Sequence, residues 1–169
     1  MNQSFKHIPP NKRKKILLIS DDIRVHSGIA TVGKEIVLNT AQHFNWVQMA
    51  GAIKHPEQGK RFDLSEDTNK NMKITDSSVI LYPVENYGNP DILRALIDQE
   101  KPDAIMLITD PRYFEYIWAM ESEIRKNIPI IYLNIWDDFP TPLYNKPYYE
   151  ACDALLAISK QTKLINELV

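Results

Sequence analysis

The sequence predicts an α/β fold, a doubly wound parallel sheet of the Rossmann-like type. Short apolar segments rich in Ile, Leu and Val recur along the chain, as expected for strands that are buried on both faces. Segments with helical spacing of apolar residues alternate with them, which favours parallel strands joined by helices. A chain of 169 residues with 44% hydrophobic residues is long enough for one domain with a sizeable core.

The first half of the chain begins this alternation. A strand is predicted over residues 15–20, and a helix over 29–43 follows it after a short loop. A second strand is predicted over 46–53. The polar stretch 55–78 has little periodicity, and we expect a long loop there with room for a short hairpin or helix. A third strand follows over 79–84.

The second half continues the pattern, with clear helix starts. Strands four to six are predicted over residues 104–108, 130–135 and 154–158. A capping side chain, twice with a proline after it, marks three helix starts: Asn89 with Pro90, Asp110 with Pro111, and Ser159. The inward face of the helix after Pro111 is expected at Tyr113, Ile117, Met120 and Ile124.

Composition and charge exclude several classes of function. The formal net charge of −2 gives no electrostatic basis for nucleic-acid binding. No apolar stretch reaches the roughly 18 residues of a membrane span, and the N-terminus has no apolar signal core. We therefore expect no transmembrane segment and a cytoplasmic location. Residues 1–14 are expected to form a flexible basic leader, and the basic run 12–15 to be solvated.

Motifs for common cofactors are absent from the sequence. Cys152 is the single cysteine, which excludes an intrachain disulfide and a cysteine metal cluster, and we expect no metal site. Neither G-x-G-x-x-G nor a Walker-type phosphate loop occurs, so no dinucleotide cofactor is expected. Asp21 and Asp22 after the first strand suggest a phosphoacceptor receiver domain, but no Asp ends the third strand and no Lys ends the fifth, which excludes that family.

Gly28 lies between the predicted first strand and the predicted first helix, directly before the helix begins. A helix start offers unpaired N–H groups to an anion, and a glycine without a Cβ allows a ligand to come close. A glycine required only for the turn explains the residue equally well. Ser27 precedes it, and His26 in the same loop is either a ligand contact or simply solvated.

Two later loops also follow predicted strands. Asp110 and Arg112 are explained by helix capping or by a place on the rim of a cleft, where they would meet sugar hydroxyls or phosphate. After the fifth strand, carboxylates and aromatic rings stand together in a pattern typical of a sugar site: Asn134, Trp136, Asp137 and Asp138. An exposed loop whose aromatic side chains pack onto the sheet is the alternative. Ser159 after the sixth strand is a cap that could also face the cleft.

Four ordered segments resemble the N-terminal half of a GT-B fold glycosyltransferase of the retaining group 1, or family 4, type. They are 15–20 with 27–36, 101–105, 128–132 and 151–160. The sequence departs from the family in having Ser27-Gly28 where Gly-Gly is common. It also has no His after strand four or strand five, where the family often has one.

The resemblance implies the acceptor-binding half of an enzyme that moves a sugar from a nucleotide-sugar donor to a hydroxyl acceptor, without a metal or another cofactor. The donor would be held mainly by a C-terminal domain that we expect to be missing here, so the fragment alone would be inactive. Asp110 and Asp138 would then be catalytic. Donor phosphate or sugar would contact Ser27, Gly28 and Arg112, and the acceptor would contact His26, Asn134, Trp136, Asp137 and Ser159.

Two other functions remain open on the sequence. The chain could be a stand-alone α/β domain that binds a ligand or a protein without catalysis. Half of a nucleotide-sugar epimerase is a weaker alternative, since the His and Glu residues it would need cannot be placed. An exposed apolar face beside the cleft would indicate a partner domain, whereas a polar face would favour an independent module.

Overall fold

A single sheet runs through the protein, of which a computed structural model describes residues 7–52 and 56–169. The strands are β1 (Lys14–Asp21), β2 (Phe44–Ala52), β3 (Phe62–Asp63), β4 (Val79–Glu85), β5 (Ala104–Ile108), β6 (Ile130–Asn134) and β7 (Ala154–Ala157). The α-helices are α1 (Gly28–Thr40), α2 (Ser65–Met72), α3 (Pro90–Glu100), α4 (Glu115–Ala119), α5 (Glu121–Ile124), α6 (Lys146–Glu150) and α7 (Lys160–Leu168).

The strand order is β3-β4-β2-β1-β5-β6-β7, and every neighbouring pair is parallel except β3 with β4. The chain winds outward from β1 in one direction through β2 and β4, and in the other through β5, β6 and β7. This confirms the predicted Rossmann-like sheet. The winding reverses between β1 and β5, and that switch point is where such sheets bind ligands, beyond the carboxyl ends of the strands.

Alternate side chains of the central strands enter two separate cores. In β1, Leu17 and Ile19 pack with residues of α3 to α5, while Ile16 and Leu18 pack with residues of α1 on the opposite face. Both faces of the strand are therefore covered, which explains why the strand sequences are nearly all apolar.

Two predicted regions have more structure, or a different structure, than the sequence specified. The stretch 55–78, expected as a long loop with room for a short hairpin or helix, contains the short antiparallel strand β3 and the helix α2, both within its described part. After Asp110 the chain forms a 3₁₀ turn, Pro111–Phe114, before α4 and α5, where one helix was expected. This turn has about three residues per turn, so Phe114 is buried and Tyr113, expected to face inward, is 64% exposed.

Arg13 corrects the expectation of a fully solvated basic run. Its side chain is completely buried and donates to Ile8 O at 2.7 Å, Asp76 O at 2.7 Å and Asp76 Oδ1 at 2.6 Å. The predicted leader is thus tied to the α2–β4 connection through this residue. Residues 1–6 of the predicted leader, and the predicted end of the second strand at residue 53, lie outside the described residues.

None of the helices in residues 7–52 and 56–169 has the length and apolarity that are needed to cross a bilayer.

We expect Arg13→Ala to lower the free energy of unfolding by about 3 kcal/mol, because it leaves Asp76 and buried carbonyl groups without their donor. Urea denaturation followed by circular dichroism measures this change. Lys12→Ala, at an exposed neighbouring position, should stay within about 0.5 kcal/mol of the parent. Equal midpoints for the two variants would contradict the anchoring role of Arg13.

Candidate functional site

A cavity of about 550 Å³ lies at the switch point of the sheet. Its wall is formed by the ends of β1, β2 and β5 and by the loops that follow β1, β4 and β5. The lining residues are Asp21, Val25, Ile29, Gly51, Asn86, Tyr87, Thr109 and Tyr113. Both its volume and its position are those of a small-molecule site in a doubly wound fold.

The carboxylate of Asp21 is the charged group of this cavity wall. Its Oδ1 accepts a hydrogen bond from the Tyr87 hydroxyl at 2.6 Å, and its Oδ2 accepts one from Ser27 Oγ at 2.6 Å. The two donors come from different loops, one after β4 and one after β1. The carboxylate is therefore held in one orientation from two sides, with further lone pairs available to a ligand.

Ser27 joins this carboxylate to the start of α1. Its Oγ accepts from Ala30 N at 2.9 Å, so it is the N-cap, and the same hydroxyl donates to Asp21. Gly28 is the first helical residue. A Cβ built at Gly28 has no described atom within 4 Å, and its backbone is outside the left-handed region. Neither packing nor backbone conformation in the described structure requires a glycine there.

Gly51, at the end of β2, is required by packing. A Cβ at this position would lie 2.2 Å from Asn86 O and 2.6 Å from the Tyr87 ring. The β4–α3 loop therefore lies directly against the backbone of β2, which only a glycine permits. This close approach brings Tyr87 to the centre of the switch point.

The β4–α3 loop is shaped to present the Tyr87 hydroxyl. Asn86 and Gly88 on either side have positive φ angles of 51° and 79°. The Tyr116 hydroxyl donates to Tyr87 O at 2.6 Å, and the Tyr87 ring packs edge-on against Phe114. Burial, together with the hydrogen bond to Asp21, raises the pKa of Tyr87 above its ordinary value, so the hydroxyl keeps its proton at neutral pH.

Thr109 ends the strand on the other side of the switch point. Its φ of 151° lies in a region that residues with a side chain rarely adopt. The buried Tyr132 hydroxyl donates to Thr109 O at 2.8 Å and holds this conformation. The strained residue lines the cavity opposite Asp21, so the surrounding packing fixes its polar groups at the site.

A smaller cavity of about 270 Å³ lies beyond β5 and β6, and it brings together five residues that the sequence singled out. They are Asp110, Asn134, Trp136, Asp137 and Asp138. The Trp136 ring lies edge-on to Tyr144, with centroids 6.0 Å apart, and Trp136 Nε1 donates to Asp138 O. These contacts build the aromatic and acidic wall that the sequence predicted here.

Asp110 and Arg112 form a closed pair at the rim of the second cavity. The guanidinium donates to both carboxylate oxygens, and Asp110 also accepts from Arg112 N at 3.0 Å as the cap of the 3₁₀ turn. Hydrogen bonding to Arg112 holds the pKa of Asp110 below its ordinary 3.8 despite partial burial. Asp110 is therefore ionised near neutral pH. Its carboxylate is suited to accept a hydrogen bond from a ligand hydroxyl and not to donate a proton.

Asn134 serves mainly to hold the second cavity together. It is buried, and its Nδ2 donates to the Tyr149 hydroxyl at 2.9 Å and to Asn166 Oδ1 at 2.6 Å. Its Oδ1 accepts from Trp136 N at 3.0 Å. The amide is thus used within the protein and sets the path of the loop after β6.

The other sequence-predicted residues lie apart from both cavities. Ser159 caps α7 through Thr162 N and lines an open groove between β7 and α7. His26 is exposed on the β1–α1 loop and is not part of the wall of either cavity. Neither residue therefore lines the two cavities at this edge of the sheet.

The sequence did not identify most of the residues that line the larger cavity as functional. Asp21 suggested only a receiver domain, while Gly51, Tyr87 and Thr109 gave no motif. The usable signal was position, since these residues end or follow strands that meet at one edge of the sheet. Polar and glycine residues at or just after the ends of the predicted strands would therefore have indicated the lining of the larger cavity.

Large apolar side chains are exposed around both cavities. Val25 and Tyr113 line the larger one, with exposed fractions of 40% and 64%. Phe139, Leu143 and Tyr144, from the loop that follows β6, are each more than half exposed. The surroundings of both cavities therefore carry exposed apolar side chains.

Among the described residues, side chains that could ligate a metal are not clustered, and the single thiol is not activated. In the part of the chain that the structure describes, no three His, Cys, Asp or Glu side chains are grouped so that they could hold a metal ion. Burial raises the pKa of the Cys152 thiol to about 11, which keeps it protonated.

Comparison with known proteins gives no family: no family model, no curated protein sequence and no solved structure matches this chain.

We expect Gly51→Ala to destabilise the protein by about 2 kcal/mol, because the new methyl group must displace the β4–α3 loop. Gly28→Ala is the matched control and should be neutral or stabilising by up to about 1 kcal/mol, since its methyl group meets no described atom. Urea denaturation compares the two variants. A Gly28→Ala protein that is the less stable of the two would show that the close approach is misassigned.

We expect Arg112→Ala to raise the pKa of Asp110 towards its ordinary 3.8, because the guanidinium is the main cause of its lowered value. Carboxyl ¹³C NMR titration measures this directly. The lowered folded-state pKa stabilises the fold above the unfolded pKa, and this stabilisation is lost as the pH falls through the folded value. Arg94→Ala, which removes an exposed pair with Glu123, is the control and should leave Asp110 unchanged.

Proposed function

We propose that the switch-point cavity binds a hydroxyl-bearing, sugar-like ligand, and that the chain is the acceptor-binding half of a retaining glycosyltransferase. The observation that carries the proposal is the Asp21 carboxylate, held by Tyr87 and Ser27 in a cavity with aromatic walls. A fixed carboxylate and adjacent aromatic faces are complementary to a sugar ring, which carries hydroxyls at its edge and C–H groups on its faces.

The groups in the cavity suggest how an acceptor would be held. Asp21 would accept a hydrogen bond from one hydroxyl, with Thr109 and Asn86 near enough in the same wall to contact others. Tyr113, whose ring centroid lies 5.6 Å from that of Tyr87, offers an exposed face for the ring. A hydroxyl bound to a carboxylate is also more nucleophilic, as transfer to that hydroxyl requires.

The donor would be bound mostly by a second domain, as the resemblance implies. The exposed apolar rim of both cavities supports such a neighbour, because burying it would stabilise the closed enzyme. Of the residues expected at the donor, Arg112 has a guanidinium that is half exposed and could donate to a phosphate while it remains paired with Asp110. Ser27 is less suited to a phosphate, since its hydroxyl donates to the Asp21 carboxylate at 2.6 Å.

A binding domain without catalysis is the second candidate. The state of the two expected catalytic carboxylates favours it: Asp110 is neutralised by Arg112, and Asp138 Oδ1 accepts from Phe139 N at 2.8 Å. Asp110, whose pKa is lowered by Arg112, is therefore not poised as a proton donor. Incubation of the chain and a donor-binding second domain with acceptor glycosides and nucleotide sugars distinguishes the two candidate functions. A binding domain would bind glycosides and give no transfer, even with the second domain present.

We expect the chain to bind members of a panel of methyl glycosides, measured by saturation-transfer NMR and isothermal titration calorimetry. Asp21→Asn and Tyr113→Ala should each weaken the best ligand about tenfold or more, because they remove a charged hydrogen bond and a stacking face. Asp91→Asn makes the same chemical change at a carboxylate that is 97% exposed on α3, and should have no effect. Absence of saturable binding across the panel would reject the proposal.

A further inference from the structure

The N-terminus of α1 is paired with a carboxylate from the protein itself. This helix has 13 residues, and its first turn carries the partial positive charge that usually attracts a ligand anion. Here the N-cap Ser27 accepts a hydrogen bond from Ala30 N and donates one from its hydroxyl to Asp21 Oδ2. The place where a phosphate would be expected in a doubly wound fold is therefore next to a fixed negative charge.

The rest of the cavity offers no compensating cation. Among residues 7–52 and 56–169, the lining contains one carboxylate and no lysine, arginine or histidine. Tyr87 also adds no positive charge, because its phenol stays neutral while it donates to Asp21. A phosphate in this cavity would face the carboxylate in a partly enclosed site, where repulsion between like charges is strong.

We propose that Asp21 makes the switch-point cavity selective for uncharged, hydroxyl-bearing groups and excludes phosphate, with Tyr87 and Ser27 as the residues that position its carboxylate. The identity of the ligand as a glycoside rests on the proposed function. The rejection of anions depends only on the charge and place of Asp21, so the two parts can fail separately.

The two positioning residues fix the orientation of the Asp21 carboxylate but do not supply its charge. Tyr87 and Ser27 each occupy one side of one carboxylate oxygen and leave the remaining lone pairs for ligand hydroxyls. Loss of the Tyr87 hydroxyl would free the carboxylate to rotate without removing its charge. Glycoside binding would then weaken, while exclusion of anions would remain.

Titration with inorganic pyrophosphate at low ionic strength, followed by ³¹P NMR and calorimetry, tests the selectivity. The parent chain should show no saturable binding up to about 10 mM, and Asp21→Asn should bind pyrophosphate at least tenfold more tightly. Asp21→Ser is a second neutral variant if the amide perturbs folding, and thermal unfolding checks both. Asp91→Asn controls for the change in net charge and should bind as the parent does.

Tyr87→Phe tests the positioning role, because it keeps the ring and removes the hydrogen bond. It should weaken methyl glycoside binding several-fold and leave pyrophosphate excluded. A variant that admits pyrophosphate would show that Tyr87 acts on the charge of Asp21 or only on the fold, which would overturn that role.

The outcomes separate the two proposals. Submillimolar pyrophosphate binding to the parent chain, or no gain in either neutral Asp21 variant, would overturn the selectivity. A gain in pyrophosphate binding by these variants without glycoside binding by the parent would support the selectivity and reject the glycosyltransferase function. Binding of both glycosides and pyrophosphate by the parent chain would overturn the selectivity and support the glycosyltransferase function.

Discussion

The contact between Gly51 and the β4–α3 loop determines the shape of the larger cavity. Because residue 51 has no side chain, the loop can lie against the end of β2 and place Tyr87 over the switch point. Tyr87 then reaches Asp21 at the end of β1, and Asp21 in turn reaches Ser27 at the start of α1. The absence of a side chain at Gly51 thus allows two loops that are far apart in sequence, β1–α1 and β4–α3, to meet at the switch point.

The two cavities along this edge differ in how their carboxylates are paired. Asp21 is held by two neutral hydroxyls, so its negative charge remains in the larger cavity. In the smaller cavity Asp110 is matched by the guanidinium of Arg112, which keeps the pKa of the acid low, while Asp137 and Asp138 add two further carboxylates to the wall. The edge therefore offers two acidic sites side by side, of which the smaller one also has an aromatic wall.

The fold was predictable because its pattern is local. Strands buried on both faces are apolar throughout, and the caps at Asn89, Asp110 and Ser159 are marked by residue type and, in two cases, a following proline. The charged segment around β3 and α2 has little apolar periodicity, so the sequence allowed a short hairpin or helix there without giving its type or its bounds.

The larger cavity was not predictable because its contacts are distant in sequence. Tyr87 and Asp21 are 66 positions apart in the sequence. No local pattern therefore indicates that the Tyr87 hydroxyl orients the Asp21 carboxylate. Arg13 and Asp76 are 63 positions apart in the same way. The five residues of the smaller cavity were found because four of them are neighbours after one strand.

The open space around Gly28 makes this position suitable for site-specific labelling. A cysteine placed there would be unobstructed by described atoms and would stand one residue from the serine that holds Asp21. The natural Cys152 is half-buried and has a pKa of about 11, so an alkylating fluorophore would react with it far more slowly at neutral pH. A single reporter dye could therefore be attached beside the cavity with the native thiol left in place.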